Sequence, residues 1–131
     1  MSTTAISPAT SRPLRWAGLI VGALCALFLL MDAVMHILAP PFVLQANAQL
    51  GYPAHLTTPL GIVELLCLAL YVFPRTAVLG AILLTGYLGG ATASKVRLED
   101  PSWLFSVAIG ILVWAGLYLR DRRIRELIPL Q

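Results

Sequence analysis

The chain has 131 residues, of which 59% are apolar and 11% charged, with a net charge of +3 and a mean hydropathy of +0.85. A typical soluble domain carries roughly 45–50% apolar and about 25% charged residues, and so short a chain has too much surface to hide this much apolar material from water. The composition argues against a soluble enzyme, a nucleic-acid binder and a disordered chain, and for an integral membrane protein.

Cutting the sequence at its Pro, Gly and charge clusters gives an all-α reading with four membrane spans. Residues 1–13 are rich in Ser, Thr, Ala and Pro and read as a disordered tail. Arg12 and Arg15 then precede span one, about residues 16–38. It is longer than a signal-peptide core and has no small-x-small cleavage site after it, so it reads as a retained helix. Pro40-Pro41 closes it. In the following loop Phe42, Val43, Ala46 and Leu50 recur at helical spacing, which predicts a short interfacial helix. Gly51-Tyr52-Pro53 turns the chain into span two, about 57–73, which is short for a bilayer. The Pro74-Arg75 turn leads into span three, about 76–96, and Arg97 with Glu99-Asp100-Pro101 ends it. Span four covers about 102–119, and residues 121–131 form a basic juxtamembrane tail. The expected architecture is an antiparallel four-helix bundle, with residues 14–120 as its membrane domain.

Charge distribution predicts orientation. With both termini and the Pro74-Arg75 turn on one side, that side holds Arg12, Arg15, Arg75, Arg120, Arg122, Arg123 and Arg125. The other holds only Lys95 and Arg97. The imbalance predicts that both termini are cytoplasmic, and the membrane expected is the inner one. The basic tail then reads as an orientation anchor rather than a nucleic-acid site, with Ile124, Leu127 and Ile128 on one apolar face against the membrane surface. Gly18, Gly22 and Ala26 on span one, and Gly86 and Gly90 on span three, read as close-packing surfaces. Cys25 and Cys67 lie within apolar runs and read as buried, inert thiols.

Asp32, His36, Glu64 and Lys95 interrupt the apolar spans. Charged side chains are costly in hydrocarbon and face the bundle interior or a wet cavity. Counting residues from the span ends puts all four in the half of the bundle away from the termini. Asp32 and His36, four apart, share a helix face, and Asp32 and Glu64 lie at similar depth on consecutive spans. The cluster reads either as a structural network, with pairs Glu64–Lys95 and Asp32–His36, or as an outward-facing polar pocket. As a pocket, its ligand-binding candidates are Asp32, His36, Glu64, Tyr87, Thr92 and Lys95, and its catalytic candidates Asp32, Glu64 and His36. A metal held by Asp32, His36 and Glu64 is chemically possible, but the spacing is not diagnostic and neither metal nor haem is predicted.

Several segments together resemble the DoxX-like family. They are Leu50-Gly51-Tyr52-Pro53, Leu60-Gly61-Ile62-Val63-Glu64-Leu65, Phe73-Pro74-Arg75-Thr76, the run from Gly80 to Tyr87, and Leu119-Arg120-Asp121. The resemblance covers about residues 15–130 and departs at Lys95, where members often carry His. It implies a small four-span bacterial membrane protein. The family takes its name from a membrane subunit of a thiosulfate:quinone oxidoreductase, and other relatives are linked to redox stress. This implies an accessory or quinone-associated component of a membrane redox system. An alternative is a small isomerase- or hydrolase-type enzyme using Asp32 and Glu64 as acid and base on a lipophilic substrate, by analogy with the emopamil-binding isomerases. A third is a non-catalytic structural or chaperone-like partner. The partners expected are the bilayer, a lipophilic small molecule such as a quinone, and a redox partner or a second copy of the chain.

Overall fold

The structure, a computed structural model, describes residues 12–128. The expected disordered tail falls almost entirely outside them, but Arg12 and Pro13 already form the first turn of a helix. The elements in chain order are α1 (Arg12–Leu38), α2 (Pro41–Gln49), a single 3-10 turn (Ala54–Leu56), α3 (Thr57–Val72), α4 (Ala77–Arg97), α5 (Trp103–Arg120) and α6 (Arg122–Leu127). There is no strand among the described residues. Four helical segments, Arg12–Leu38, Ala54–Val72, Ala77–Arg97 and Trp103–Arg120, are long and apolar enough to cross a membrane. Span two gains its length from the 3-10 turn, because the 16 residues of α3 alone reach only roughly 24 Å at 1.5 Å per residue.

Local chemistry sets the boundaries. The α1 helix ends where Ala39 turns left-handed at φ 48° and donates its N–H to the Met35 carbonyl at 2.9 Å. Pro40-Pro41 cannot continue that helix, but Pro41 suits the first position of α2, where no intrahelical N–H is required. Two later helices end in the same double-bonded turn. After α2, Gly51 at φ 90° donates to the Ala48 carbonyl and Tyr52 to the Asn47 carbonyl, both at 3.0 Å. After α4, Glu99 at φ 58° and Asp100 make the equivalent bonds to Val96 and Lys95, again at 3.0 Å. Glycine is the usual occupant of the left-handed position, so Glu99 holds it at a conformational cost.

The four long helices form a ring. Helix α1 packs on α3 and α5, and α4 packs on the same two from the opposite side. Leu29, Cys67, Leu68, Leu84, Val113 and Leu117 fill the centre. Leu24, Leu27, Leu66, Ile82 and Ile111 are each more than half exposed on the outside of the ring, a distribution suited to lipid rather than water. Cys25 and Cys67 are both free and buried.

Small residues bring the backbones together, though not all those anticipated. A Cβ on Gly18 would meet the Gly116 carbonyl oxygen and the Arg120 nitrogen at 2.8 Å, and one on Gly116 would meet the Gly22 nitrogen at 3.0 Å. The α1–α5 crossing therefore needs glycine on both helices. Gly86 and Gly90 correct the expectation for span three, because a Cβ at either would meet nothing within 4 Å. They border open space, since α4 stands away from α1 across the ring. In the C-terminal segment, Ile124 is 3% exposed and docks into the core, whereas Leu127 is 75% exposed, so the anticipated single apolar face is divided.

Candidate functional site

Five helices, α1 to α5, and the turn after α2 build a cavity of about 430 Å³ at the end of the bundle opposite the termini. Its lining combines Asp32 and His36 from α1, Glu64 from α3, Tyr87, Ser94 and Lys95 from α4, and Ser106 from α5. Phe28, Leu29, Leu88, Phe105 and Ile109 provide apolar walls. Phe28 and Phe105 meet edge to face, with ring centres 5.0 Å apart and planes at 71°.

Gly61 sets the α1–α3 side of the site. A Cβ there would meet the Ala33 carbonyl oxygen at 2.7 Å and the His36 Cβ at 2.8 Å. Its absence lets α3 press onto α1 and carries Glu64, one turn further along, into the α1–α3 seam. Asp32, His36 and Glu64 each then offer one donor atom within 4.8 Å of the others. Glu64 is fully buried, and neither carboxylate oxygen has a hydrogen-bond partner. Its polar neighbours are Asp32 and Tyr87. His36 Nδ1 lies 2.9 Å from the Asp32 backbone carbonyl and 3.5 Å from the Asp32 carboxylate. Because a carbonyl only accepts, Nδ1 bears a proton in that contact.

Two sequence expectations are corrected here. Lys95 does not pair with Glu64. Its ammonium donates to the Ser106 hydroxyl at 3.2 Å, because Lys95 lies near the end of α4 and Glu64 deeper in α3. Thr92 does not line this cavity. Its hydroxyl donates to the Leu88 carbonyl at 2.8 Å, and the side chain borders a lateral groove with Thr85 and Trp114. Spacing placed Thr92 and Lys95 on one helix face, but the α4–α5 contact divides that face between two hollows.

Sequence reasoning overlooked the clasp over the cavity mouth. The Asn47 amide of α2 donates to the Thr57 hydroxyl at 3.3 Å, and the Tyr52 and Ser94 hydroxyls are bonded at 2.7 Å. The Arg97 guanidinium donates to the Leu50 carbonyl at 2.8 Å. These contacts tie the α2 segment to α3 and α4. Asn47, Tyr52 and Ser94 are ordinary polar residues in sequence, and only Asn47's place among apolar positions of an amphipathic segment hinted at burial.

The fold and site define a class: a small multi-pass membrane bundle with a clasped polar cavity at its loop end. Within that class the chain belongs to the DoxX-like family, whose model matches residues 20–116 and so takes in the whole of α3 and α4, most of α1 and α5, and the cavity. No curated protein and no solved structure matches the chain.

Proposed function

We propose that this protein is an accessory component of a membrane redox system and binds a quinone-type headgroup in the loop-end cavity. One observation carries the reading. Lys95 reaches a chamber with aromatic and aliphatic walls, bonds only to a neutral Ser106 hydroxyl, and forms no ion pair among the described residues. An ammonium has three donors, so Lys95 can also donate to a ligand carbonyl. Tyr87 offers a second donor from the same helix. The volume lies within the range of small-molecule pockets, about 300–1,000 Å³. Membership of the DoxX-like family, which takes its name from a membrane subunit of a thiosulfate:quinone oxidoreductase, favours a quinone over other lipophilic carbonyl compounds.

Seven Lys and Arg on the terminal side against two on the other support cytoplasmic termini, and the bacterial family resemblance supports an inner-membrane location. The cavity then opens away from the cytoplasm. Reporter fusions at residue 131 and within residues 44–50 should report opposite sides, and a shared side would overturn this orientation.

The binding test is equilibrium dialysis of a short-chain benzoquinone against the protein in nanodiscs. Saturable binding is expected, weakened at least about tenfold by Lys95→Met, as loss of a charge-assisted hydrogen bond predicts. Binding that is absent, or indifferent to Lys95→Met, would sink the quinone reading. Chemical conversion of a bound lipophilic compound, lost in Asp32→Asn, would instead support the enzyme alternative.

A further inference from the structure

We propose that Asp32, His36 and Glu64 bind one divalent first-row transition-metal ion at the base of the cavity. The proposal is independent of which organic molecule enters above it. Three observations converge.

The first is the arrangement itself. The three side chains come from two helices, with Asp32 and His36 one turn apart on α1 and Glu64 facing them from α3. Each offers a donor atom within 4.8 Å of the others. With metal–ligand bonds near 2.0–2.2 Å, ligand atoms stand about 3–3.5 Å apart. The donor atoms already lie within 4.8 Å of one another and Asp32 is 42% exposed, so side-chain rotation has room to draw the set together.

The second is Glu64. It is 0% exposed, and neither oxygen accepts a hydrogen bond. A carboxylate removed from water without donors is expensive, and structures that retain one supply a partner or a cation. Lys95, which reaches the same cavity, is engaged with Ser106 instead. Two carboxylates with one dication make a neutral unit, which suits a low-dielectric bundle better than either charge alone.

The third is the imidazole orientation. Nδ1 is directed at the Asp32 carbonyl at 2.9 Å, which leaves the lone pair of the neutral ring on Nε2. Metal-bound histidines commonly donate their other ring N–H to a carbonyl or carboxylate, which fixes tautomer and ring plane. Two carboxylates and one imidazole suit Zn²⁺, Mn²⁺ or Fe²⁺ and lack the soft sulfur that selects Cu⁺. Three protein ligands leave further coordination positions directed into the cavity.

The test uses the full chain in nanodiscs, stripped with chelator and dialysed against Zn²⁺ or Mn²⁺ alone, with metal counted by mass spectrometry. Co²⁺ serves as a spectroscopic probe of the donor set. About one ion per chain is expected for Zn²⁺ or Mn²⁺, with a Co²⁺ spectrum of mixed nitrogen and oxygen ligation. Glu64→Gln and His36→Gln should each weaken binding by at least about 100-fold, since even outer-shell changes cost 10–100-fold. Thr92→Val, outside the cavity, should leave it unchanged. His36→Gln keeps the test decisive if Glu64→Gln fails to fold, because the His36 side chain is part-exposed whereas Glu64 is fully buried. Less than a fifth of an equivalent bound, or binding that survives Glu64→Gln but is lost in the exposed His55→Gln, would overturn the proposal. Metal binding without quinone binding would leave this inference standing and remove the functional reading, and the reverse result would do the opposite.

Discussion

The two ends of the bundle are made of similar helices and differ in how closely the backbones approach. At the terminal end, Gly18 and Gly22 of α1 sit against Gly116 of α5, and Gly80 of α4 lies on the backbone of Tyr71 at the end of α3. The remaining space is filled by Tyr71, whose hydroxyl donates to the Val113 carbonyl at 2.8 Å across the ring and whose ring stacks 5.0 Å from the Arg120 guanidinium. At the loop end the glycines of α4 face open space, and polar side chains border a hollow. Backbone contact closes one end, and its absence on the α4 side opens the other. Glycine therefore marks a packed surface only where another helix reaches it.

The largest effect should come from adding one methyl at each end. In Gly80→Ala the new carbon would fall on the Tyr71 backbone, and overpacking of this kind costs about 1–3 kcal/mol. In Gly86→Ala it meets nothing within 4 Å, and the gain in helix propensity in a helix interior is up to about 1 kcal/mol. Denaturation of both variants in the same detergent should show destabilisation and neutrality or slight gain, respectively. Equal destabilisation would erase the distinction between the ends.

A smaller effect is expected from Tyr71→Phe. It removes the bond to Val113 while retaining the ring under Arg120, so a loss of about 1–2 kcal/mol is expected by the same measurement. Tyr52→Phe should cost less in global stability, about 0.5–1 kcal/mol, because it breaks only the clasp to Ser94. Its signature should be faster amide exchange confined to residues 41–53, read by hydrogen-exchange mass spectrometry. Unchanged exchange there would mean that α2 is held without the clasp.

The smallest effect concerns pH. The Ser102 backbone N–H donates to the Asp100 carboxylate at 2.9 Å, and that bond, with a lesser contribution from the Lys95 charge, holds the carboxyl below its ordinary range. A lowered folded-state pKa contributes stability that is present above the unfolded value, about 3.9, and is lost as pH falls through the folded value. Protection of the α4–α5 turn should therefore fall as pH drops below about 4, and Asp100→Asn should abolish that dependence. An unchanged pH profile in Asp100→Asn would assign the effect to another group.

Apolar run length, Pro-Pro and Pro-Arg breaks, and the costly Asp32, His36, Glu64 and Lys95 made four helices and one polar zone legible in the amino-acid sequence. Those features act locally or through the cost of placing charge in hydrocarbon, so they can be read without knowing which helices touch. Partner choice was not legible in this way. Lys95 bonds Ser106 rather than Glu64, Thr92 faces a lateral groove, and Asn47, Tyr52 and Ser94 clasp the mouth. These depend on how α4 is rotated and spaced relative to α3 and α5 and, for Asn47, on how α2 lies over α3, which side-chain packing across the whole ring decides. Glu64 marks the boundary between the two kinds of information. Its burial follows from its place in an apolar span, but its lack of a hydrogen-bond partner and its approach to Asp32 and His36 exist only because α3 presses onto α1 at Gly61.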